Sequence, residues 1–166
     1  MSVAFTREED SEAQAANLPD RPISPHPNLV TATGLAALDA AVATARAAYT
    51  SAQSLAGMSD GGVSADRTAM ARATRDLRYY TARRASAQLV EPEGPADRVL
   101  FGRQVTLDRE DGRRQVFRIV GEDEADPARG AISYISPVAK AVLGRSVGDT
   151  VMVAGAEVEI VAVGTV

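Results

Sequence analysis

The sequence has no cysteine, no tryptophan and a single histidine, His26. Without cysteine there is no disulfide framework and no thiolate metal centre. One histidine excludes multi-histidine metal sites and argues against histidine-based catalysis. Aromatic residues are only 4% of 166 residues, and much of the 45% hydrophobic content is alanine. Any core must therefore be small and closely spaced. No apolar run approaches the roughly 20 residues that span a bilayer. The opening MSVAFTREEDSE lacks the basic-then-apolar layout of a secretory signal. A cytoplasmic protein with no membrane partner is expected.

A strong excess of one charge is also missing. The net charge is −4, with acidic flanks and a slightly basic middle. Duplex DNA binding by charge alone needs a basic excess that this chain does not have.

Residues 1–27 are polar, Pro-rich and without hydrophobic period. Such a segment cannot bury enough apolar surface to offset its ordering entropy. It reads as a disordered extension, with Ile23 or Leu29 as docking points. A helix is expected from Thr31 or Thr33, either of which can cap it, to just before Gly57. Leu35, Leu38, Val42, Ala45, Tyr49 and Ala52 recur at alternating steps of 3 and 4, a coiled-coil seam. MSDGGVSAD, 58–66, is a turn, with Ser64 capping the next helix. That helix carries a second seam: Met70, Ala73, Leu77, Tyr80, Arg84 and Ala87. Two matched seams around a short turn predict an antiparallel helical hairpin over 28–90. Each arm of about 25 residues would be about 37 Å long.

EPEGPAD, 91–97, reads as a linker. From 98 to 166 the period becomes alternating, as in strands. Strands are expected around Val105–Leu107, 115–120, 131–135, 150–153 and 157–163. The first two join through a turn at Asp111-Gly112. A short helix follows Ser136, which caps it, with Pro137 in its first turn and Gly144 at its end. The fold class is α+β: a helical hairpin, then a five-stranded domain with one short helix.

Several segments in order carry a family resemblance: FGRQVTL (101–107), FRIVGEDEAD (117–126), GAISYISPVAKAVLG (130–144) and VGDTVMV (147–153). NLVTATGLAAL (28–38) and SAQLV (86–90) are also similar. Together they resemble the GreA/GreB family of transcription elongation factors. The resemblance implies an FKBP-like C-terminal domain that docks on bacterial RNA polymerase at its secondary channel. It implies a hairpin entering that channel, whose acidic tip helps hold Mg²⁺ at the polymerase active site and promotes cleavage of backtracked RNA. The factor is then an accessory protein, not an enzyme, with no cofactor of its own. A monomer is expected, with nascent RNA as a further partner.

At the tip, SDGGVSAD departs from the family's D-x-x-E-N-A-E-Y pattern. Asp60 and Asp66 are its only acids. They read either as Mg²⁺ ligands or as a turn former and a first-turn acid. Without a competent acidic pair, the factor would occupy the channel without stimulating cleavage. Arg67, Arg72, Arg75 and Arg78 read either as a solvated face or as RNA and channel contacts. Arg83 falls off the seam and Arg84 on it. Asp123, Glu124, Asp126, Ser136 and Pro137 are the expected docking residues, although capping alone also explains Ser136 and Pro137. The FKBP-like fold raises prolyl isomerase activity, but Phe101, Phe117 and Tyr134 are too few aromatics to line such a pocket, and fold does not imply function.

Overall fold

The computed structural model describes residues 18–58 and 64–165. Among them the chain divides into two compact units. One contains Leu38–Ser86 together with the described residues up to Pro25, and the other contains His26–Ala37 with the chain from Ala87 onward.

Two helices dominate, α1 (Ala32–Met58) and α2 (Ser64–Ser86). Arg84 near the end of α2 pairs with Asp39 near the start of α1 at 2.5 Å, the contact expected of antiparallel arms. Leu38, Val42, Ala45 and Ala52 of the α1 seam are buried, and Leu35 and Tyr49 are half-buried. The alternating 3–4 spacing thus identified the face of α1 correctly. The helix runs through Gly57 rather than stopping before it, because a glycine lowers helix propensity by only about 1 kcal/mol and no proline follows. Of the turn expected over 58–66, Met58 and residues 64–66 are helical, while 59–63, with Asp60, and the Ser64 side chain lie outside the described residues.

The α2 seam needs one correction. Ala73 is buried, and Met70, Leu77 and Tyr80 are half-buried. At the next step it is Arg83 that is buried, at 2% exposure, while Arg84 lies at the edge with Asp39. A straight helix repeats every 3.6 residues, so a strict 3–4 alternation drifts by about 20° per heptad. Two adjacent arginines cannot be ordered by spacing alone at that point.

The second unit begins with β1 (Leu29–Val30), paired in parallel with β2 (Gln88–Leu89). Gln88 donates its amide to the Asn28 carbonyl at 2.8 Å, and Val90 donates to Val30 at 3.0 Å. The five-stranded sheet is formed by β3 (Gln104–Arg109), β4 (Arg114–Val120), β5 (Ala131–Ser133), β6 (Thr150–Val153) and β7 (Ala156–Gly164). Its order is β5-β4-β3-β7-β6, with only β4 and β5 parallel. Alternation decides which residues face inward: Val105 and Leu107 of β3, Val151 and Val153 of β6, and Val158 and Ile160 of β7 are all buried. The helix α3 (Pro137–Val142) closes this core with Ala139 and Val142, both fully buried. The expected α+β class, with five strands and one short helix, is what forms.

The turns follow their sequence signals. Gly112 takes φ 79 at the β3–β4 turn, where a side chain would be strained. The Ser136 hydroxyl accepts from the Ala139 amide at 3.3 Å, capping α3.

The 91–97 segment is less free than a linker composition suggests. Arg103, only 4% exposed, sends its guanidinium into this loop. One nitrogen donates to the carbonyls of Pro95 and Arg98, the other to those of Pro92 and Gly94. One planar side chain thereby satisfies four carbonyls that two prolines and a glycine leave without a ladder.

Candidate partner-docking site

The acidic turn after β4 splits into two roles. Glu124 is only 9% exposed at its side chain and is turned inward. It accepts the Thr31 hydroxyl at 2.5 Å. The same hydroxyl oxygen accepts the Gly34 amide at 3.0 Å, so Thr31 rather than Thr33 caps α1. Arg118 approaches the other Glu124 oxygen at 3.1 Å, an ion pair by proximity rather than an aligned hydrogen bond. A carboxylate near the first turn of a helix is favoured by the exposed amides there. Gly34 makes room for it: a Cβ at that position would sit 2.6 Å from the Glu124 carboxylate. The expected role of Glu124 on the docking surface is therefore corrected. It fixes the start of α1 to the turn.

Of the other acids of the turn, Glu122 is half-buried with one carboxylate oxygen shut off from solvent. Asp123 is exposed. Asp126 is half-exposed and lies 3.5 Å from Arg129. Pro137 is exposed at the start of α3, and Ser136 is half-buried with its hydroxyl engaged in the cap. The turn, the cap and α3 all belong to the same unit, and Asp123 and Pro137 are its exposed members.

Aromatic rings of this unit are committed to packing. Phe101 is buried and meets Tyr134 edge-on at 5.9 Å. The Tyr134 hydroxyl donates to the Pro27 carbonyl at 2.6 Å.

In the helical unit, Arg67, Arg75 and Arg78 line one groove of about 560 Å³ with Asp66, Met70 and Thr74. Arg72, five residues beyond Arg67, projects elsewhere, as helical geometry requires. Asp66 is half-buried and already engaged in a contact of its own. Among the described residues no group of three or more metal-ligating side chains forms, and no helix is long and apolar enough to cross a membrane.

Residues 18–27 depart from a disordered extension. Asp20 pairs with Arg78 at 3.3 Å and Arg21 with Asp76 at 3.3 Å. The Arg21 guanidinium stacks over Tyr79, 3.7 Å from the ring centre, and lies 5.0 Å from that of Tyr80. A hydrogen bond with Tyr80 is the main cause holding Arg21 above its ordinary pKa. A composition argument counts apolar area and misses an arginine that finds two aromatic faces and a carboxylate.

The sequence signal missed Arg103, Arg118 and Gly121. A bulky charged residue between Gly102 and β3 was the available hint for the first. Gly121 has a plainer cause: a Cβ there would lie 2.2 Å from the Leu29 carbonyl oxygen.

Comparison with known proteins bears mainly on the second unit. Residues 94–165 match the family model described as transcription elongation factor, GreA/GreB, C-term. The chain is 38% identical over 96 residues to a transcription elongation factor GreA of Desulfovibrio desulfuricans, covering 57% of this chain and 59% of that one. It is 52% identical over 71 residues to a GreA of Anaeromyxobacter, covering 42% and 43% of the two chains. It is 44% identical over 80 residues to a GreB of Neisseria meningitidis, covering 47% and 49%. The chain thus spans between 43% and 59% of the length of these relatives. Among solved structures, the GreA factor homolog 1 of Thermus thermophilus aligns over 83% of this chain and 99% of its own. The identity is 24% and the TM-score 0.38.

Proposed function

We propose that this chain, whose residues 94–165 match the family model for the C-terminal part of the GreA/GreB transcription elongation factors, docks on bacterial RNA polymerase at the secondary channel and acts on backtracked elongation complexes. The observation that carries this reading is the family match over 94–165 together with an outward-facing set, Asp123, Asp126 and Pro137, on that same domain. Ser136 supports the set by shaping the start of α3. The partner surface would be basic, since exposed carboxylates steer and orient such an encounter.

In the first form of this reading the hairpin tip stimulates transcript cleavage. Asp60 and Asp66 would then help hold a Mg²⁺ at the polymerase active site, and Arg67, Arg72, Arg75 and Arg78 would face nascent RNA or the channel wall. Mg²⁺ prefers about six oxygen ligands in a tight octahedron. Two aspartates supply a minority of these, so the polymerase and the RNA would supply the rest. Catalysis belongs to the polymerase, and this chain contributes position and charge.

In the second form the factor docks without stimulating cleavage. One observation favours it: Asp66 is half-buried in the groove that Arg67, Arg75 and Arg78 also line. Half-covering leaves its side chain less open to a metal held by another protein.

Incubation of a stalled, backtracked elongation complex with saturating protein and Mg²⁺ separates the two. The second form expects full-length transcript to persist, and Asp60→Ala with Asp66→Ala to change nothing. Shortened transcripts that disappear in the double variant would establish the first form.

A further inference from the structure

The stretch Leu18 to Pro25 carries prolines at 19, 22 and 25. Its burial follows the same period. Leu18, Arg21 and Ser24 are half-buried, whereas Pro19, Asp20, Pro22, Ile23 and Pro25 are exposed. A three-residue repeat is that of a polyproline II strand, which turns one residue in three toward the same side. Here the inward side meets α2, with Arg21 stacked on Tyr79 and ion-paired to Asp76. From the neighbouring side Asp20 reaches Arg78.

This strand therefore covers the face of α2 where arginines and tyrosines stand together. Arg75, Arg78 and Tyr79 line a common cleft with Asp20, Arg21 and Ile23. Tyr79 and Tyr80 sit edge to face at 5.3 Å. Arginines beside aromatic rings suit a single-stranded nucleic acid, whose phosphates and bases use the two chemistries separately. Here Arg21 lies over a tyrosine ring and Asp20 pairs with an arginine, so the strand engages both kinds of group.

We infer that residues 18–25 are an intramolecular strap that shields the Arg75–Arg78–Tyr79 face of α2 and is displaced by single-stranded RNA. The inference rests on the reading of Arg75 and Arg78 as RNA contacts. Three features fit a strap that closes readily and opens again. Its prolines restrict the backbone before docking, so little ordering is needed to close it. Its Asp20–Arg78 pair is exposed on both sides, at 67% and 68%, and such pairs hold weakly. Its tether to the same chain keeps it close at every moment.

The test exploits a sign. Arg21→Ala removes a positive charge, so simple electrostatics expects weaker RNA binding. Loss of a competing strap expects the reverse. The full chain, wild type and Arg21→Ala, is titrated with a short single-stranded RNA by fluorescence anisotropy. NMR resonances of the Tyr79 and Tyr80 rings report strap position, and far-UV circular dichroism reports helix content. The strap account expects the ring resonances to move in Arg21→Ala, helix content to hold, and RNA affinity to rise about three- to tenfold, the change when a face open a tenth to a third of the time becomes fully open. Arg21→Lys, which keeps the charge with poorer stacking, should fall between. Wild-type binding with equal or weaker binding by Arg21→Ala would overturn the strap and leave the RNA reading of α2 intact. Ring resonances that report a closed strap in wild type and an open one in Arg21→Ala, with no RNA binding by either, would overturn the RNA reading and the strap's role with it.

Discussion

Arg103→Ala should unfold the C-terminal domain at a markedly lower temperature than any exposed arginine change. Its guanidinium serves four carbonyls of the 92–98 loop from a position 4% exposed to solvent. Hydrogen bonds to a charged donor contribute about 1.5–3 kcal/mol each, but they are not additive, and some of the freed carbonyls would reach water. A net loss of about 3 kcal/mol is expected, which for a domain of this size lowers Tm by on the order of 10–20 °C. Arg103→Lys should recover only part, because an ammonium cannot match the planar fork that reaches two pairs of carbonyls. Arg114 supplies the comparison. It forms a two-pronged pair with Asp108, at 2.7 and 2.8 Å, but is 63% exposed. Arg114→Ala should leave Tm nearly unchanged, because solvent screens an exposed pair. Thermal unfolding of the three variants reads the difference, and equal shifts for Arg103→Ala and Arg114→Ala would refute the role given to Arg103.

Gly121→Ala should be comparably damaging. At an unstrained site glycine to alanine stabilises by about 0.4–1 kcal/mol through the unfolded chain. Here the new Cβ would lie 2.2 Å from the Leu29 oxygen, and the obstacle is backbone, which cannot swing away. β1 must shift, and its pairing with β2 must weaken. A loss of about 2–4 kcal/mol is expected, the range of a severe packing conflict. Faster amide exchange at Gln88 and Val90, the two donors of that pair, would locate the damage. Gly57 has nothing within 4 Å of its Cβ position and lies within α1, so Gly57→Ala should stabilise by about 0.5–1 kcal/mol. If Gly121→Ala also stabilises, the close approach to Leu29 is not what requires glycine there.

What the sequence revealed was whatever repeats along the chain. The α1 seam, the alternation of Val105 with Leu107, and the Ser136-Pro137 start of α3 are local patterns with local causes. What it hid were contacts between residues far apart in sequence. Glu124 and Thr31 are 93 positions apart, and no period links them. Glu124 in a run of acids looks like its neighbour Asp123, yet one faces inward and the other outward. Gly34, a small cost to the helix when read alone, admits that carboxylate. Arg21 was hidden for a different reason. A proline-rich segment is judged by its apolar content, whereas its hold on α2 comes from stacking and charge. The acids of the turn were legible as a group, but separating Glu124 from Asp123 required the fold. The tip gave the least, since Asp60 and Asp66 depart from the pattern that would have assigned them.

The proposed docking of the C-terminal domain on RNA polymerase makes the exposed Asp123 the residue to reverse in charge. The direct measurement is an equilibrium titration of the labelled full chain onto bacterial core RNA polymerase, wild type against Asp123→Lys, with thermal unfolding of both. The account predicts saturable binding by the wild type, affinity weakened about tenfold or more by the reversed charge, and an unchanged Tm. Absence of saturable binding by the wild type, or equal affinity for a folded Asp123→Lys, would contradict it.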